Sequence, residues 1–428
     1  MNSLSLLLWI SLGILLQLLI YLSMSFWAHW VAYKALSDRA EKAEIDLERI
    51  EADAPPLKIK PAWTGTRPFL VERKVLEGED EMICSFSLVP EDGKALAPFL
   101  PGQFLTFELE MPDHSATGKA IVRCYSLSDA PNPDHYRISV KRSLAPPGTA
   151  FPIGLASNFF HDQVQVGSRL LVRAPAGYFF LDQGRTPVVL IAGGIGITPL
   201  LSMLNWSLSQ QTGREICLFY GVRNEREVMM KYHLIALAET YPHFRLCFCF
   251  SDALIDGHAD AVGAGYQHRG RVDVDLLRVR LPLKPYHYYI CGPSAMLESL
   301  VPALEAWGVP QGRIHFEAFG PASLRRNKAV VLTSEVTRNE MIESAITVNF
   351  TKSGKQLQWQ PNAANLLDFA EANGVEVQSG CRAGSCGSCQ VTIIAGEVTY
   401  IQTPDFDPEV GTCLLCVCRP KNAVSLEA

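Results

Sequence analysis

The sequence predicts a multidomain protein with a transmembrane helix, an antiparallel β-barrel, a doubly wound α/β domain and a small α+β domain. Residues 4–27 contain no charged side chain. Residues 63–182 contain short alternating segments between turn residues, and residues 186–199 join an apolar run to a glycine-rich turn and a helical pattern. These patterns are typical of a membrane span, an all-β domain and a nucleotide-binding α/β domain, respectively. The α+β domain follows at the C-terminus.

Composition bounds the class of protein. The formal net charge of -6 argues against a nucleic-acid partner, and the 12 cysteines are mostly single residues within apolar runs. Scattered buried thiols are typical of a reducing cytosol rather than of a secreted disulfide framework. The predicted boundaries are 1–33 for the anchor, 34–62 for a juxtamembrane helix and linker, 63–182 for the barrel, 183–321 for the α/β domain, 322–344 for a second linker and 345–428 for the last domain.

The N-terminal stretch predicts an uncleaved membrane anchor. A helix over Leu4–Trp27 would be roughly 36 Å long, which is enough to cross a bilayer. A cleaved signal peptide is the alternative, but no basic residue precedes the stretch and no A-x-A-like site follows it. Basic side chains follow the span, which places the remaining domains on the cytoplasmic face of the cell inner membrane. These side chains are Lys34, Arg39, Lys42 and Arg49.

Residues 34–54 repeat small or apolar side chains at alternating spacings of four and three, and Pro55-Pro56 ends the pattern. One interpretation is a short coiled coil that makes the anchor a homodimer. The other is a single helix packed on its own domain or on the membrane surface. The run is shorter than the three to four heptads that a coiled coil normally needs.

The barrel segment contains Arg123-Cys124-Tyr125-Ser126. This R-x-Y-S segment resembles the flavin motif of the ferredoxin–NADP reductase superfamily. The resemblance implies that Arg123 meets a flavin phosphate, Tyr125 lies on the ring and ribityl chain, and Ser126 is close to flavin N5.

Two further segments extend the predicted flavin site. The resemblance assigns cofactor binding to Ser139, Lys141 and Ser157, the last at the start of a short helix whose amides would meet a pyrophosphate. Residues 123–142 and 174–181 look most like the reductase part of flavohaemoglobins, which implies FAD. The loop 143–152 is longer than in that family and leaves FMN as the alternative.

The α/β domain predicts a nicotinamide site. The apolar strand 186–192 runs into Gly193-Gly194-Ile195-Gly196-Ile197-Thr198-Pro199, and a strand, glycine turn and helix form a pyrophosphate cradle. The predicted cofactor-binding residues of this domain are Gly193, Gly194, Gly196, Thr198, Arg223, Asp252, Gly292 and Pro293. Asp252 would repel a 2′-phosphate and favours NADH, whereas Arg223 at a neighbouring strand end favours NADPH.

The superfamily resemblance assigns three further roles near the hydride. It places Cys291 of the Cys-Gly-Pro segment beside the nicotinamide, with Ser126 on the flavin side. Phe319, in the segment 315–321, would cover the flavin until nicotinamide displaces it, and Glu317 would orient a proton or the carboxamide. Ordinary core packing is the alternative for Cys291 and Phe319.

The C-terminal domain contains the spacing C-x4-C-x2-C, followed by a distant fourth cysteine. This is the plant-type pattern for a [2Fe–2S] cluster, in which four thiolates hold two irons. A zinc knot or disulfides are the alternatives, but zinc knots normally use paired CxxC units rather than the C-x4-C-x2-C spacing. The predicted ligands are Cys381, Cys386, Cys389 and Cys416. Cys413 and Cys418 are the alternatives to the fourth, and the preceding hairpin and helix resemble plant-type (β-grasp) ferredoxins.

The domain order is similar to that of phthalate dioxygenase reductase and its relatives. It implies an NADH-dependent reductase in which electrons pass from NADH to FAD, to the [2Fe–2S] cluster and then to a membrane-associated oxygenase, hydroxylase or desaturase. An NADH:quinone reductase is a second interpretation. The domain order argues against it, because the ferredoxin domain precedes the flavin domain in the sodium-pumping enzyme. A redox-sensing tether is the third, although the sequence contains no recognisable signalling domain.

Overall fold

A computed structural model describes the chain in two units, Met1–Lys58 and Ile59–Ala428. The described residues are 9, 12–27, 29–31, 34, 62–111, 121–145, 153–252, 267–319, 346–360, 363–380, 382, 384, 387–401, 404, 406 and 408–428. In the first unit, helix α1 (Leu12–Val31) is long and apolar enough to cross a bilayer by length and composition. A signal sequence can have the same length and composition, so these two properties alone make the helix a candidate span. The predicted juxtamembrane helix and the linker 322–344 lie outside the described residues.

The second unit begins with an antiparallel barrel of six strands. They are β1 (Thr66–Glu77), β2 (Ile83–Pro90), β3 (Phe104–Leu109), β4 (Ile121–Ser126), β5 (Tyr136–Lys141) and β6 (Arg169–Arg173), in the order β4–β3–β6–β1–β2–β5. An antiparallel bridge between Leu127 and Ile138 joins the two outer strands and closes the barrel. The predicted barrel is therefore confirmed.

Helix α2 (Leu155–Asp162) covers one end of the barrel interior. The Phe160 ring lies edge-on to Phe86 and Phe107, with centroids 5.3 Å and 5.4 Å away, and all three side chains are fully buried. Burying each such ring contributes roughly 1.5–3 kcal/mol. This packing fixes the start of α2 next to β5, where the sequence places the flavin's phosphate end.

A parallel sheet follows, with strands β7 (Val188–Gly193), β8 (Ile216–Val222), β9 (Phe244–Phe250), β10 (Gln267–Arg269), β11 (His287–Gly292) and β12 (Ile314–Ala318). Its order is β10–β9–β8–β7–β11–β12, and the connecting helices are α3 (Ile197–Ser209), α4 (Lys231–Thr240), α5 (Val274–Arg280) and α6 (Ser294–Ala306). The direction of winding reverses between β7 and β11. A crevice at the carboxyl ends of these two strands is where such sheets bind ligands.

The barrel and the parallel sheet share an apolar core. Ile83, Phe179 and Leu181 pack in the same cluster as buried residues of α3 and the sheet. The Asp182 amide donates to the Tyr289 hydroxyl at 2.9 Å, and Asn205 Nδ2 donates to Asp129 Oδ1 at 2.8 Å. These contacts fix the orientation of the two domains relative to each other, so residues from both can contribute to one site.

The C-terminal domain is a small mixed sheet covered by one helix. Its strands are β13 (Thr347–Phe350), β14 (Lys355–Gln358), β15 (Gln390–Ala395), β16 (Val398–Tyr400), β17 (Thr412–Leu414), β18 (Cys418–Pro420) and β19 (Val424–Leu426), and its helix is α7 (Leu366–Ala372). The principal sheet has the order β14–β13–β19–β15–β17. Asn365 caps α7 by accepting from the Asp368 amide at 2.8 Å, and Gly374 follows with φ +67°. The predicted hairpin and helix are confirmed.

Candidate functional site

The glycine turn after β7 forms the floor of the crevice. A Cβ on Gly196 would lie 2.2 Å from the Cys291 carbonyl oxygen, so only glycine lets the turn pack this closely on β11. Gly194 has φ +54°, and its position opens to free space. The turn Gly194–Gly196 leads directly into α3, and the Ile197 amide donates back to the Gly194 and Ile195 carbonyls of the turn. A glycine turn between a strand and a helix start is an arrangement that fits a pyrophosphate.

Thr198 supports this turn from inside the protein. Its hydroxyl donates to the Ile195 carbonyl at 3.0 Å, and the residue is 2% exposed. The sequence assigned Thr198 to cofactor binding. In the structure this hydrogen bond holds the shape of the turn.

The ends of β11 and β12 bring the predicted hydride-site residues together. Cys291 is paired in register with Glu317, and the Phe319 amide donates to the Gly292 carbonyl at 3.1 Å. Cys291 is fully buried, and Phe319 is half-buried against the core that the barrel and the parallel sheet share. Pro293 then begins α6. These residues therefore line one wall of the crevice at the strand ends.

Burial controls the ionisation of this wall. Burial raises the pKa of Glu317 from its ordinary 4.5 to about 8, so the carboxyl is protonated at neutral pH. Burial, and then the neighbouring Glu317, raise the pKa of the Cys291 thiol well above its ordinary range. Glu317 Oε2 is shielded from solvent and has no hydrogen-bond partner in the described part of the chain. A bound carboxamide is the kind of group that would satisfy this oxygen, so the wall fits a nicotinamide.

The Glu317→Gln variant tests this ionisation through pH. Between pH 4.5 and 8 the unfolded carboxyl is ionised and the folded one is protonated, so wild-type stability falls as pH rises through this window. The variant is expected to lose this dependence. It should also keep its NADH kcat/KM above pH 8, where the wild type declines. Thermal unfolding and steady-state kinetics at pH 5 to 9 measure both effects, and parallel profiles for the two proteins would contradict the assignment.

The R-x-Y-S segment presents two side chains on one face of β4. Arg123 is exposed, and its Nη1 donates to the Val122 carbonyl at 2.7 Å. Tyr125 lies edge-on to Phe160 at 5.0 Å, and burial raises the pKa of its hydroxyl. Ser126 ends the strand and is 6% exposed. The exposed Arg123 guanidinium could bind a phosphate, and the Tyr125 phenol, supported by the Phe160 ring, could contact a flavin. Both side chains therefore fit a flavin nucleotide.

Ser139 differs from the sequence interpretation. Its hydroxyl lies 2.7 Å from that of Ser85 and 2.9 Å from that of Ser128, and the residue is 3% exposed. This chain of three serines holds β2 and β5 together with the end of β4. The Ser139 side chain is thus already engaged within the barrel wall.

Hydrogen bonds hold the start of α2, which is the phosphate end of the predicted flavin site. Ser157 donates to the Gly154 carbonyl and accepts from the Ser143 amide, both at 3.1 Å, which fixes the start of α2. Residues 146–152 of the long loop lie outside the described residues. Lys141 Nζ lies 3.8 Å from Glu227 Oε2 in the neighbouring domain.

Glu227 is a residue that sequence reasoning missed. It also accepts from Arg223 Nε at 2.5 Å, so one carboxylate joins a predicted flavin residue to a predicted nucleotide residue. Glu227 follows Arg223 by four residues, a spacing at which opposite charges often pair, and the sequence could have indicated the ion pair on this basis. Asp252 follows β9 next to Arg223, since its amide donates to the Arg223 carbonyl at 2.8 Å.

The C-terminal domain holds two of the four predicted cluster ligands side by side. Cys389 and Cys416 are 2% and 3% exposed, and the Leu415 amide donates to the Cys389 carbonyl at 3.1 Å. Cys381 and Cys386 lie outside the described residues. Gly384 and Gly387 both have positive φ, and a Cβ on Gly387 would meet the Phe406 ring at 2.6 Å. The fold therefore brings Cys389 and the segment of Cys416 together next to a tight loop.

The two alternative cysteines, Cys413 and Cys418, form a hydrogen bond with each other. Cys413 and Cys418 are fully buried, and a thiol–thiol hydrogen bond with Cys413, together with burial, raises the pKa of Cys418. Cluster ligands must be thiolates. Cys413 and Cys418 are thus hydrogen-bonded to each other, and Cys416 stays the predicted fourth ligand.

The site defines a class of protein: a redox enzyme that joins a flavin and nicotinamide module to an iron–sulfur domain in one chain. The Oxidoreductase NAD-binding domain family matches residues 190–301, and the 2Fe-2S iron-sulfur cluster binding domain family matches residues 348–421. This chain belongs to the ferredoxin–NADP reductase superfamily of NAD(P)H-dependent flavoprotein oxidoreductases. Its cofactors are FAD and a [2Fe–2S] cluster, and it contains an NAD-binding domain.

Several known proteins are similar. A flavohemoprotein from Rhizobium meliloti (strain 1021) is 38% identical over 299 residues, 69% of each chain. The chain spans only 62% of the length of the Bacillus cereus flavohemoprotein, to which it is also 38% identical over 61% of its own length. The FAD/NAD-binding domain of a nitric oxide dioxygenase from Vibrio cholerae O1 biovar El Tor is 32% identical, with a TM-score of 0.51 over 60% of this chain and all of that one.

One solved structure matches the barrel, the α/β domain and the C-terminal domain together. Phthalate dioxygenase reductase is described as a modular structure for electron transfer from pyridine nucleotides to [2Fe–2S]. It is 26% identical and has a TM-score of 0.50, and the match covers 85% of this chain and 98% of that one. The chain thus resembles a reductase in which pyridine nucleotide, flavin and [2Fe–2S] domains are joined.

Proposed function

We propose that this chain is a membrane-anchored NADH reductase that supplies electrons to a membrane-associated oxygenase, hydroxylase or desaturase. The observation that carries the proposal is the union, in one chain, of the shared flavin–nicotinamide core with a cluster domain at its C-terminal end. The similarity to phthalate dioxygenase reductase supports the same order of transfer. FAD, when bound, turns the two-electron hydride of NADH into single electrons, which the [2Fe–2S] cluster carries one at a time.

The chain's own residues supply position and a neutral environment. Gly196 and the start of α3 hold the pyrophosphate, and the protonated Glu317 and buried Cys291 form a wall without charge beside the nicotinamide. Tyr125 and Ser126 would hold the flavin ring from the barrel side. The contacts between Asp182 and Tyr289, and between Asp129 and Asn205, keep the two cofactor sites in one orientation. Hydride transfer needs this fixed approach of two rings.

Anaerobic reduction with NADH tests the electron path. The full chain in detergent is expected to show loss of flavin absorbance and the appearance of a reduced [2Fe–2S] electron paramagnetic resonance signal within one turnover. NADH oxidation with cytochrome c should then be continuous. A cluster that stays oxidised, or the absence of turnover, would favour a sensing role. Reduction of a quinone by extracted membranes without a protein partner would favour a quinone reductase.

The membrane proposal has its own test. Helix α1 exposes apolar side chains along its length, among them Leu15 and Leu19. A lysine near the centre of a span costs about 2.5–3.5 kcal/mol. The variant Leu15→Lys/Leu19→Lys is expected to move the protein to the soluble fraction after carbonate extraction, whereas Leu15→Ala/Leu19→Ala should stay in the membrane. Equal fractionation of the two variants would refute a spanning helix.

A further inference from the structure

Glu227 lies where the barrel meets the nucleotide end of the parallel sheet. It belongs to a short turn, Glu225–Glu227, just after β8, and only 7% of its side chain is exposed. Its carboxylate accepts from Arg223 Nε at 2.5 Å and contacts Arg223 Nη2, and the Arg223 amide approaches Oε2 at 3.4 Å. Lys141 lies 3.8 Å from the same oxygen. A nearly buried carboxylate is thus held between two cations.

The ionised form of Glu227 is stable in this position. Burial opposes ionisation, but the hydrogen bond from Arg223 and the charges of Lys141 and Arg223 outweigh it and lower the pKa of Glu227. Removing one partner of such a pair leaves the other charge unpaired. The position of Arg223 therefore depends on Glu227.

The Arg223 side chain is 68% exposed, yet the edge of its guanidinium fork formed by Nε and Nη2 is taken by Glu227. A guanidinium binds a phosphate best through two parallel N–H donors. A 2′-phosphate at this strand end would therefore meet an arginine whose charge is already compensated. It would also meet Asp252, which follows the adjacent strand and shares a backbone hydrogen bond with Arg223.

We propose that Glu227 determines nucleotide specificity: it holds Arg223 in an ion pair and so prevents Arg223 from binding the 2′-phosphate of NADPH. This inference rests on the proposed function, since it explains how the crevice selects NADH. It makes Glu227 a positioning residue that acts through Arg223. The same carboxylate orients Lys141 on the flavin side, so Glu227 contacts a predicted flavin residue and a predicted nucleotide residue.

The variant Glu227→Gln tests the proposal in the full chain in detergent. Glutamine keeps the shape but not the charge, so Arg223 becomes available to a phosphate. With ferricyanide as acceptor, the ratio of kcat/KM for NADH to that for NADPH is expected to fall at least about tenfold, mainly through a lower KM for NADPH. Binding of 2′-AMP, measured by calorimetry without turnover, should tighten by a similar factor, while binding of 5′-AMP should not.

Three variants separate specificity from stability. Glu225→Gln lies in the same turn and removes an ion pair with Lys231 instead, so its NADH to NADPH ratio should equal that of the wild type. Glu227→Asp keeps the charge and should keep the preference for NADH. The double variant Arg223→Ala/Glu227→Gln should lose the 2′-AMP binding that the single variant gains. A purely structural role of Glu227 would change stability without changing any of these ratios.

The outcomes distinguish this inference from the proposed function. If the wild type prefers NADH and Glu227→Gln leaves the ratio and 2′-AMP binding unchanged, the role of Glu227 is refuted and the reductase function stands. If NADH does not reduce the cluster of the wild type but Glu227→Gln still gains 2′-AMP affinity through Arg223, the reductase function is refuted and the role of Glu227 is supported.

Discussion

The Cys416→Ser variant is expected to lose the [2Fe–2S] absorbance and paramagnetic signal and to lose cytochrome c reduction by at least about 100-fold. A serine hydroxyl is a far poorer iron ligand than a thiolate, and four thiolates define this cluster type. NADH-dependent ferricyanide reduction should persist within about twofold, because a small acceptor can take electrons directly from the flavin module, which the substitution does not touch.

Cys418→Ser is the matched control, because Cys418 is a buried cysteine two residues away. Its thiol is hydrogen-bonded to Cys413, so the substitution removes a neutral contact and should leave the cluster spectrum unchanged. Thermal unfolding would report the cost of the lost packing separately. A normal cluster in Cys416→Ser together with a lost cluster in Cys418→Ser would show that the fourth ligand is Cys418.

Local backbone requirements explain which parts of the fold and site could be predicted. The glycine turn at 193–196 and the C-x4-C-x2-C loop each need specific residue types at fixed spacing, so each is visible in a short stretch of sequence. Such features depend on neighbours only a few residues away.

Features that depend on distant partners could not be predicted. Ser139 was assigned to the flavin, yet its hydroxyl binds Ser85, which is 54 residues earlier in the chain. The core that Ile83 and Phe179 share with α3 also joins segments from different domains. No local pattern records which hydroxyl or ring a fold brings together across such separations. Glu227 has one contact of each kind: Arg223 is four residues away in the sequence, whereas Lys141 belongs to the barrel.

The second large effect is expected for Gly196→Ala. The new Cβ would lie 2.2 Å from the Cys291 carbonyl oxygen and 2.8 Å from the Gly292 amide nitrogen, and both are backbone atoms that cannot rotate away. The turn and β11 must separate, which costs about 1–3 kcal/mol in a packed interior. Because these two segments form the floor and wall of the nicotinamide crevice, the NADH kcat/KM should fall by about 100-fold, since small displacements of a positioned reactant have large kinetic effects.

Gly221→Ala controls for adding a methyl group at another glycine of the same sheet. There the nearest atoms to a Cβ are the Ala192 carbonyl oxygen and Val272 Cγ2, both at an ordinary contact distance of 3.5 Å. This variant should keep its thermal stability and NADH kcat/KM within about twofold. Flavin absorbance should be normal in both variants, because neither substitution lies in the barrel. If Gly196→Ala retained wild-type kinetics, the close approach of the glycine turn to Cys291 would not be what shapes the crevice, and the hydride site would have to be sought at another pair of strand ends.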